Sequence, residues 1–345
     1  MEIVGIDVAN VSAWFKDNIP GAEPPLTFDL IAGGRSNLTF RVTDSAGHDY
    51  CLRRPPTSHV LPTAHDMSRE YRLIHALGPT PVPVAEARGL CQDEAVNDKP
   101  FYVMGYVEGH ILRDAATAEK VFTEEQRRTA GNDLIDVLAD LHAVDVDAVG
   151  LGDLARREGY IARQLKRWYS QFQQSAALGN RTVPLVDEMH EFLSARIPEQ
   201  GAAAIVHGDY RLDNTMFGDN GEVKAVLDWE ICTLGDPLAD VGLLMVYWTD
   251  PGGDDVLLNM APTTLPGFPS KADLRARYAK RSGRDVSDVD FYVSFGYWKL
   301  ACILEGVYAR YIGGALGDVD RAQFDPFRVQ VESASEQAAR RLERL

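Results

Sequence analysis

The sequence predicts an α+β chain of two lobes, a small one built on an antiparallel sheet and a larger, mostly helical one. Three observations carry this. Up to about residue 107 the apolar stretches are short and broken by Gly, Pro and Asn turns, as strands are. Beyond residue 110 they recur at helical spacing. Within that helical half, residues 204–228 form a strand, a turn and a hairpin dense in polar side chains. The expected boundaries are 1–103 for the small lobe, 104–109 for a hinge and 110–345 for the helical lobe.

A short helix is expected from Val11 to Asn18, closed by Pro20 and Gly21. Strands follow at Thr27 to Ala32 and Leu38 to Thr43, with Gly33-Gly34-Arg35-Ser36-Asn37 between them. Gly34, Ser36 and Asn37 are candidates for a phosphate-covering loop, because backbone N–H groups without bulky side chains can approach an anion. A turn at Ser45 to His48 returns the chain along Asp49 to Arg53. Met67, Tyr71, Ile74 and Leu77 recur at helical spacing, so His65 to Leu77 is an amphipathic helix, and Pro79 ends it. Pro81 to Cys91 is a strand region, and Phe101 to Val107 an apolar strand reached through a turn at 97–100.

The larger half opens with a capping box, Thr123-Glu124-Glu125-Gln126. Leu134, Val137, Leu138 and Leu141 mark the core face of the helix it starts. Asp153 to about Ala177 gives a long polar helix whose Trp168, Tyr169 and Phe172 suit a core or a substrate wall. Helices at Val186 to Ala195, Asp236 to Trp248, Lys271 to Ser282 and Val286 to Tyr311 follow. The last places Tyr297, Glu305 and Arg310 as candidate pocket groups. Residues 250–270 form a loop long enough to suggest substrate contact. The tail from Arg328 is a charged amphipathic helix with a solvated face.

The chemistry lies in residues 205–240. His207-Gly208-Asp209 follows an apolar strand, and Asn214 lies on the same turn. The turn Gly218-Asp219-Asn220-Gly221 then leads into a strand that ends on Asp228-Trp229-Glu230. Two carboxylates and a carboxamide thus sit near the ends of neighbouring strands. One carboxylate, Asp209, can accept a hydroxyl proton, while Asp228 and Asn214 offer oxygen ligands to Mg²⁺. This is the arrangement by which protein-kinase-like enzymes move the γ-phosphoryl of ATP. A metallohydrolase would need a second clustered His, which the sequence lacks. Asp240 is placed to anchor the turn, and His207 to hold it.

HGDYRLDN and AVLDWE resemble the catalytic and metal motifs of the aminoglycoside phosphotransferase and choline kinase family. TLGDPLADVG and LRRPPTSHVLPTAHDMSREYRLIHAL resemble one subgroup, the phosphotransferase domains akin to the kinase part of acyl-CoA dehydrogenase family proteins. The likeness runs from about residue 28 to 310. It implies a bilobal protein-kinase-like fold, ATP between the lobes, Mg²⁺ on Asn214 and Asp228, and Asp209 as the base. It puts Arg53 where kinases carry the Lys that pairs the nucleotide phosphates, with Glu70 holding it. Arg54 is the competing neighbour. Backbone groups at Met104, Gly105 and Tyr106 would meet the adenine. The subgroup implies a hydroxyacyl acceptor, even a hydroxyacyl-CoA. The wider family and the acidic charge allow an aminoglycoside or amino-alcohol instead. Carboxylates around Asp209 would favour the second, apolar groups with a basic rim the first. A non-catalytic nucleotide-binding module is a third reading. It is disfavoured because Asp209, Asn214 and Asp228 are all present.

Composition bounds the partners. The 345 residues carry a net charge of −16, which argues against nucleic acid. Cys51, Cys91, Cys232 and Cys302 are scattered, without metal or disulfide spacing. Residues 1–10 lack a signal pattern, and Lys299 and Glu305 interrupt the most apolar stretch. A cytoplasmic protein without a membrane span is expected. The sequence offers no indication of oligomeric state.

Overall fold

The computed structural model describes residues 3–31, 37–57, 66–253, 261–312 and 324–342. Residues 33–36, with Gly34 and Ser36, lie outside them, as do 254–260 of the expected substrate loop and the start expected for the helix at His65.

The strands are β1 (Thr27–Leu30), β2 (Leu38–Thr43), β3 (Asp49–Arg54), β4 (Ala87–Cys91) and β5 (Phe101–Gly105). Among the described residues they form an antiparallel sheet in the order β1-β2-β3-β5-β4. Alternation along each strand sorts the side chains onto two faces. Phe40, Val42, Tyr50, Leu52, Phe101 and Val103 point into one hydrophobic cluster with Val11 and Phe15 of α1 (Val8–Asn18). The Trp14 ring meets Phe101 edge-on at 5.0 Å. Cys51, Arg53, Tyr102 and Met104 line a cleft on the other face. There Tyr102 joins Leu73, Ile74 and Leu77 of α2 (Met67–Leu77) in the larger core.

The same alternation separates Arg53 from Arg54. Arg54 follows Leu52 to the α1 side and is wholly buried. Its guanidinium bonds the Gly5 carbonyl, the Pro55 carbonyl at 3.0 Å and Asp98 at 2.7 Å. Arg53 is left facing the cleft.

The second lobe contains α3 (Ala115–Val121), α4 (Glu124–Ala143), α5 (Tyr160–Leu178), α6 (Pro184–Ser194), α7 (Leu238–Tyr247), α8 (Lys271–Ser282), α9 (Val289–Ile312) and α10 (Asp325–Leu342). Both bonds of the capping box between Thr123 and Gln126 are made. Two short antiparallel pairs interrupt the helices: β6 (Ala204–Val206) with β9 (Thr233–Gly235), and β7 (Thr215–Phe217) with β8 (Val223–Val226).

Several expectations shift. The long helix begins at Tyr160, not Asp153, because Gly159 turns left-handed at φ 61° immediately before it. The strand expected from Pro81 begins at Ala87, since Pro81 and Pro83 have no N–H for a ladder. The α3 helix and β9 were not anticipated. Glu305 is no pocket group: it is buried and paired to Arg181 at 2.7 Å. Tyr297 lies under Arg341 of α10 at 4.5 Å, and Arg310 is exposed. Glu305 and Tyr297 thus tie α9 to its neighbours. Among the described residues no helix is long and apolar enough to cross a membrane.

The α7 and α9 helices approach closely because Gly242 and Gly296 face each other's helix. A Cβ on Gly242 would lie 2.5 Å from the Tyr292 backbone, and one on Gly296 2.9 Å from Val246. Gly242→Ala should therefore cost about 1–3 kcal/mol of stability through overpacking. Gly201→Ala, with nothing within 4 Å, should stay within about 0.5 kcal/mol. Urea unfolding of the two variants checks this, and equal midpoints would contradict the packing.

Candidate active site

The site is assembled by a turn that has little regular structure and is held by side chains instead. β6 delivers His207 and Gly208, whose backbone N–H groups donate to Asp240 in the first turn of α7. The distances are 2.6 Å to Oδ2 and 2.8 Å to Oδ1. Gly208 has φ +86°, a conformation that strains any residue with a Cβ. Burial pushes the Asp240 pKa up. The hydrogen bonds from His142 and Gly208 outweigh that and hold it below the usual carboxylate range.

His207 ties the turn to the hairpin. Its Nδ1 accepts the Asp209 N–H at 3.3 Å, so Nε2 carries the proton donated to the Leu227 carbonyl at 2.9 Å. Asp228 follows directly at φ +60°, an uncommon conformation for a residue with a side chain. Trp229 is buried and donates Nε1–H to the Val226 carbonyl at 3.1 Å.

Asn214, at the end of a 3₁₀ turn (Leu212–Asn214), spends its amide hydrogens on Asp209. They go to the backbone carbonyl and to Oδ2, both at 2.8 Å. Its Oδ1 is thereby turned to acceptor duty, and Asn214 and Asp228 both line the cleft. An amide oxygen and a carboxylate suit Mg²⁺, which takes one or two protein ligands and completes its shell with phosphate and water. No cluster of three or more His, Cys, Asp or Glu that could hold a metal occurs among the described residues. Asn214 and Asp228 thus fit a metal that a phosphate ligand would share.

Arg53 stands at the centre of the cleft. Its Nε lies 2.9 Å from Glu70 of α2, and its Nη2 lies 2.7 Å from Asp228 and 3.8 Å from Glu230. Tyr102 donates its hydroxyl to Glu70 at 3.0 Å, and Asn37 donates to Glu70 and Glu230 at 3.3 Å each. Burial pushes the Glu70 pKa up to about 7 against the pull of Arg53, with Asp228 and Glu230 adding to the rise. The three carboxylates hold Arg53 protonated in spite of its burial. Met104, Gly105 and Tyr106 line the same cleft, of about 240 Å³.

The structure therefore brings Arg53, Met104, Gly105, Tyr106, Asn214 and Asp228 to one cleft. Asn37 and Glu70 are buried against the Arg53 cluster, and His207 and Asp240 stand behind the turn that bears Asp209. Gly34 and Ser36 lie outside the described residues. Sequence reasoning missed Glu230 and Arg211. Glu230 stood in the quoted Asp-Trp-Glu stretch, two residues past Asp228, which was its signal. Arg211 lies 3.4 Å from Asp209 and 3.2 Å from Asp213, with its guanidinium over the Tyr247 ring at 4.7 Å.

The model of the phosphotransferase enzyme family, APH, matches residues 27–276. The chain belongs to that family. This phosphotransferase is 34% identical over 286 residues to mouse acyl-CoA dehydrogenase family member 10 and 35% identical over 290 residues to chicken member 11. Those matches cover 81% and 82% of the chain but 26% and 36% of the relatives, so it spans about a quarter to a third of their length. Among solved structures it superposes on a Ralstonia eutropha protein assigned to the aminoglycoside phosphotransferases, with TM-score 0.81 and 33% identity. That match covers 97% of this chain and 98% of the other. Choline kinase from Cryptosporidium parvum shares the fold at TM-score 0.66 and 12% identity, over 98% and 97% of the chains. The fold is bilobal, α+β and kinase-like, and the enzyme is a small-molecule phosphotransferase.

Asp240→Ala would leave the buried His207 and Gly208 N–H groups without acceptors. It should cost at least about 2 kcal/mol, on the usual penalty for unsatisfied buried donors. Thermal and urea unfolding measure this. A variant as stable as the parent would show that the turn is held by other contacts.

Proposed function

We propose that this phosphotransferase moves the γ-phosphoryl of ATP, with Mg²⁺, to the hydroxyl of a small acceptor, and that the acceptor is a hydroxyacyl compound such as a hydroxyacyl-CoA. The observation that carries the reading is the pair of hydrogen bonds that the Asn214 amide donates to Asp209. It fixes one Asp209 oxygen and aligns the carboxylate, while the amide oxygen stays available to a cation. Mg²⁺, when bound, would neutralise phosphate charge and hold the phosphates in place. Asp209 orients and deprotonates the acceptor hydroxyl. Arg53, positioned by Glu70, meets the nucleotide phosphates, and Asp228, bonded to it at 2.7 Å, would with Asn214 hold the metal. Asn37, with Gly34 and Ser36 before it, covers the phosphates. Met104, Gly105 and Tyr106 face the base across a hinge at 104–109, which divides a nucleotide lobe (1–103) from the acceptor lobe (110–345). His207 and Asp240 hold the turn and take no part in proton transfer. Catalysis is then chiefly positioning and charge stabilisation.

The hydroxyacyl reading draws support from the names of the acyl-CoA dehydrogenase relatives. It also draws support from the apolar wall of the pocket beside Asp209, where Ile231, Leu243, Leu300 and Ile303 stand. An aminoglycoside or amino-alcohol would find few carboxylates there. A non-catalytic module has no evident need for the Asp209–Asn214 pair.

The test is Asp209→Asn, which keeps the size of the side chain and removes proton acceptance. The variant should bind Mg-ATP nearly as well as the parent. Transfer of labelled γ-phosphate to a hydroxyacyl acceptor should fall by about 10²–10⁴-fold, the range for general acid–base catalysis. Transfer at the parent rate would refute the base.

A further inference from the structure

A pocket of about 280 Å³ opens on Asp209, and its lining is unusual for so acidic a chain. Three cationic side chains face it: Arg167 of α5, Arg211 of the turn and Lys299 of α9. Asp209 is the one carboxylate residue in that lining. With a net charge of −16 overall, clustered cations here run against the bulk composition.

Two of the three are not neutralised. Arg211 is shared by Asp209 and Asp213. Arg167 and Lys299 make no ion pair among the described residues, unlike Arg181, Arg277 and Arg281 of the same lobe. Lys299 is only 6% exposed, and its Nζ donates to the Gly208 carbonyl at 3.1 Å. Its other two N–H groups have no acceptor among the described residues. Burying an ammonium without a carboxylate partner is costly. Burial lowers the Lys299 pKa, while Asp209 and Asp240 draw it back up. The indole of Trp168 joins the two cations, with the Arg167 guanidinium 5.3 Å and the Lys299 ammonium 5.5 Å from its ring. Such contacts hold cations in place but leave their hydrogen-bonding capacity for a ligand. The α7–α9 glycine contact sets the depth of Lys299, so the position is built into the helix packing.

We propose that Lys299 and Arg167, held by Trp168, bind an anionic group of the acceptor, so that this site selects hydroxyl compounds bearing a carboxylate or phosphate and excludes cationic ones. The inference rests on the reading of Asp209 as the group that receives the acceptor hydroxyl. Lys299 supplies the fixed contact beside the Gly208 carbonyl. Arg167, exposed on α5, closes on the anion from the solvent side. An amine in their place would meet like charge, which costs selectivity as well as affinity.

The test is a binding titration that does not depend on turnover. Calorimetry on the full chain would compare ω-hydroxyalkanoates of two to eight carbons, their amides, the matching hydroxyalkyl phosphates and ω-amino alcohols. The best carboxylate or phosphate should bind at least about tenfold tighter than its neutral isostere, the effect of one charge-assisted contact. Amino alcohols should bind weakest, and the carboxylate and phosphate arms separate the two anion sources. Arg167→Glu, a change at an exposed position, should abolish or reverse the order, and Lys299→Met should flatten it. Anion-selective binding without phosphate transfer would uphold the proposal and count against phosphotransfer to these compounds alone. Amides or amino alcohols binding as tightly as acids, an order unchanged in Arg167→Glu, or no anion-dependent binding in any arm would overturn it.

Discussion

One guanidinium facing three carboxylates connects the two lobes. Arg53 comes from the sheet, Glu70 from the helix packed on it, and Asp228 and Glu230 from the segment after the hairpin in the other lobe. Such a buried cluster is a poor source of net stability, because desolvation offsets much of the Coulomb gain. Its value is in position. Three carboxylates stand around one guanidinium, and Asp228 is the member bonded to Arg53 at 2.7 Å. On the proposed function, that cleft would receive a ligand carrying both phosphate and metal.

The second constraint is the turn at 207–214. Backbone N–H groups at its start are fixed by Asp240, its carbonyl at Gly208 by Lys299, and its far end by Asn214. His207 couples it to Leu227, immediately before Asp228. A single network therefore positions Asp209 and the carboxylate that faces Arg53. The α7 helix carries Asp240 and α9 carries Lys299, so the close approach at Gly242 and Gly296 sets where both reach the turn. Core packing and site geometry are in this sense one problem.

The parts legible in the sequence are those whose chemistry is local. His207, Asp209, Asn214 and Asp228 flank one short hairpin, so spacing alone brings them together. Arg53 and Arg54 separate once Leu52 is known to be apolar and inward, because a strand alternates faces. Lys299 and Arg167 were illegible as pocket groups. The α9 helix is buried on nearly every side over Phe291–Ala309, so periodicity gives no hint of which face meets the site. Trp168, expected in a core or a substrate wall, packs against the large core and also lines the pocket beside Asp209. Glu305 deceived for the converse reason: its partner Arg181 lies 124 residues away. The three-residue strand β9 and the seven-residue helix α3 were too short for any pattern to announce.

The central claim is that the Arg53–Asp228 cleft takes a nucleotide together with a divalent cation. The most direct measurement is calorimetric titration of ATP into the chain with Mg²⁺, with Mg²⁺ chelated, and into Asp228→Ala with Mg²⁺. The account predicts binding to the parent that depends on Mg²⁺ and is lost in the variant. Equal affinity in all three titrations would contradict it.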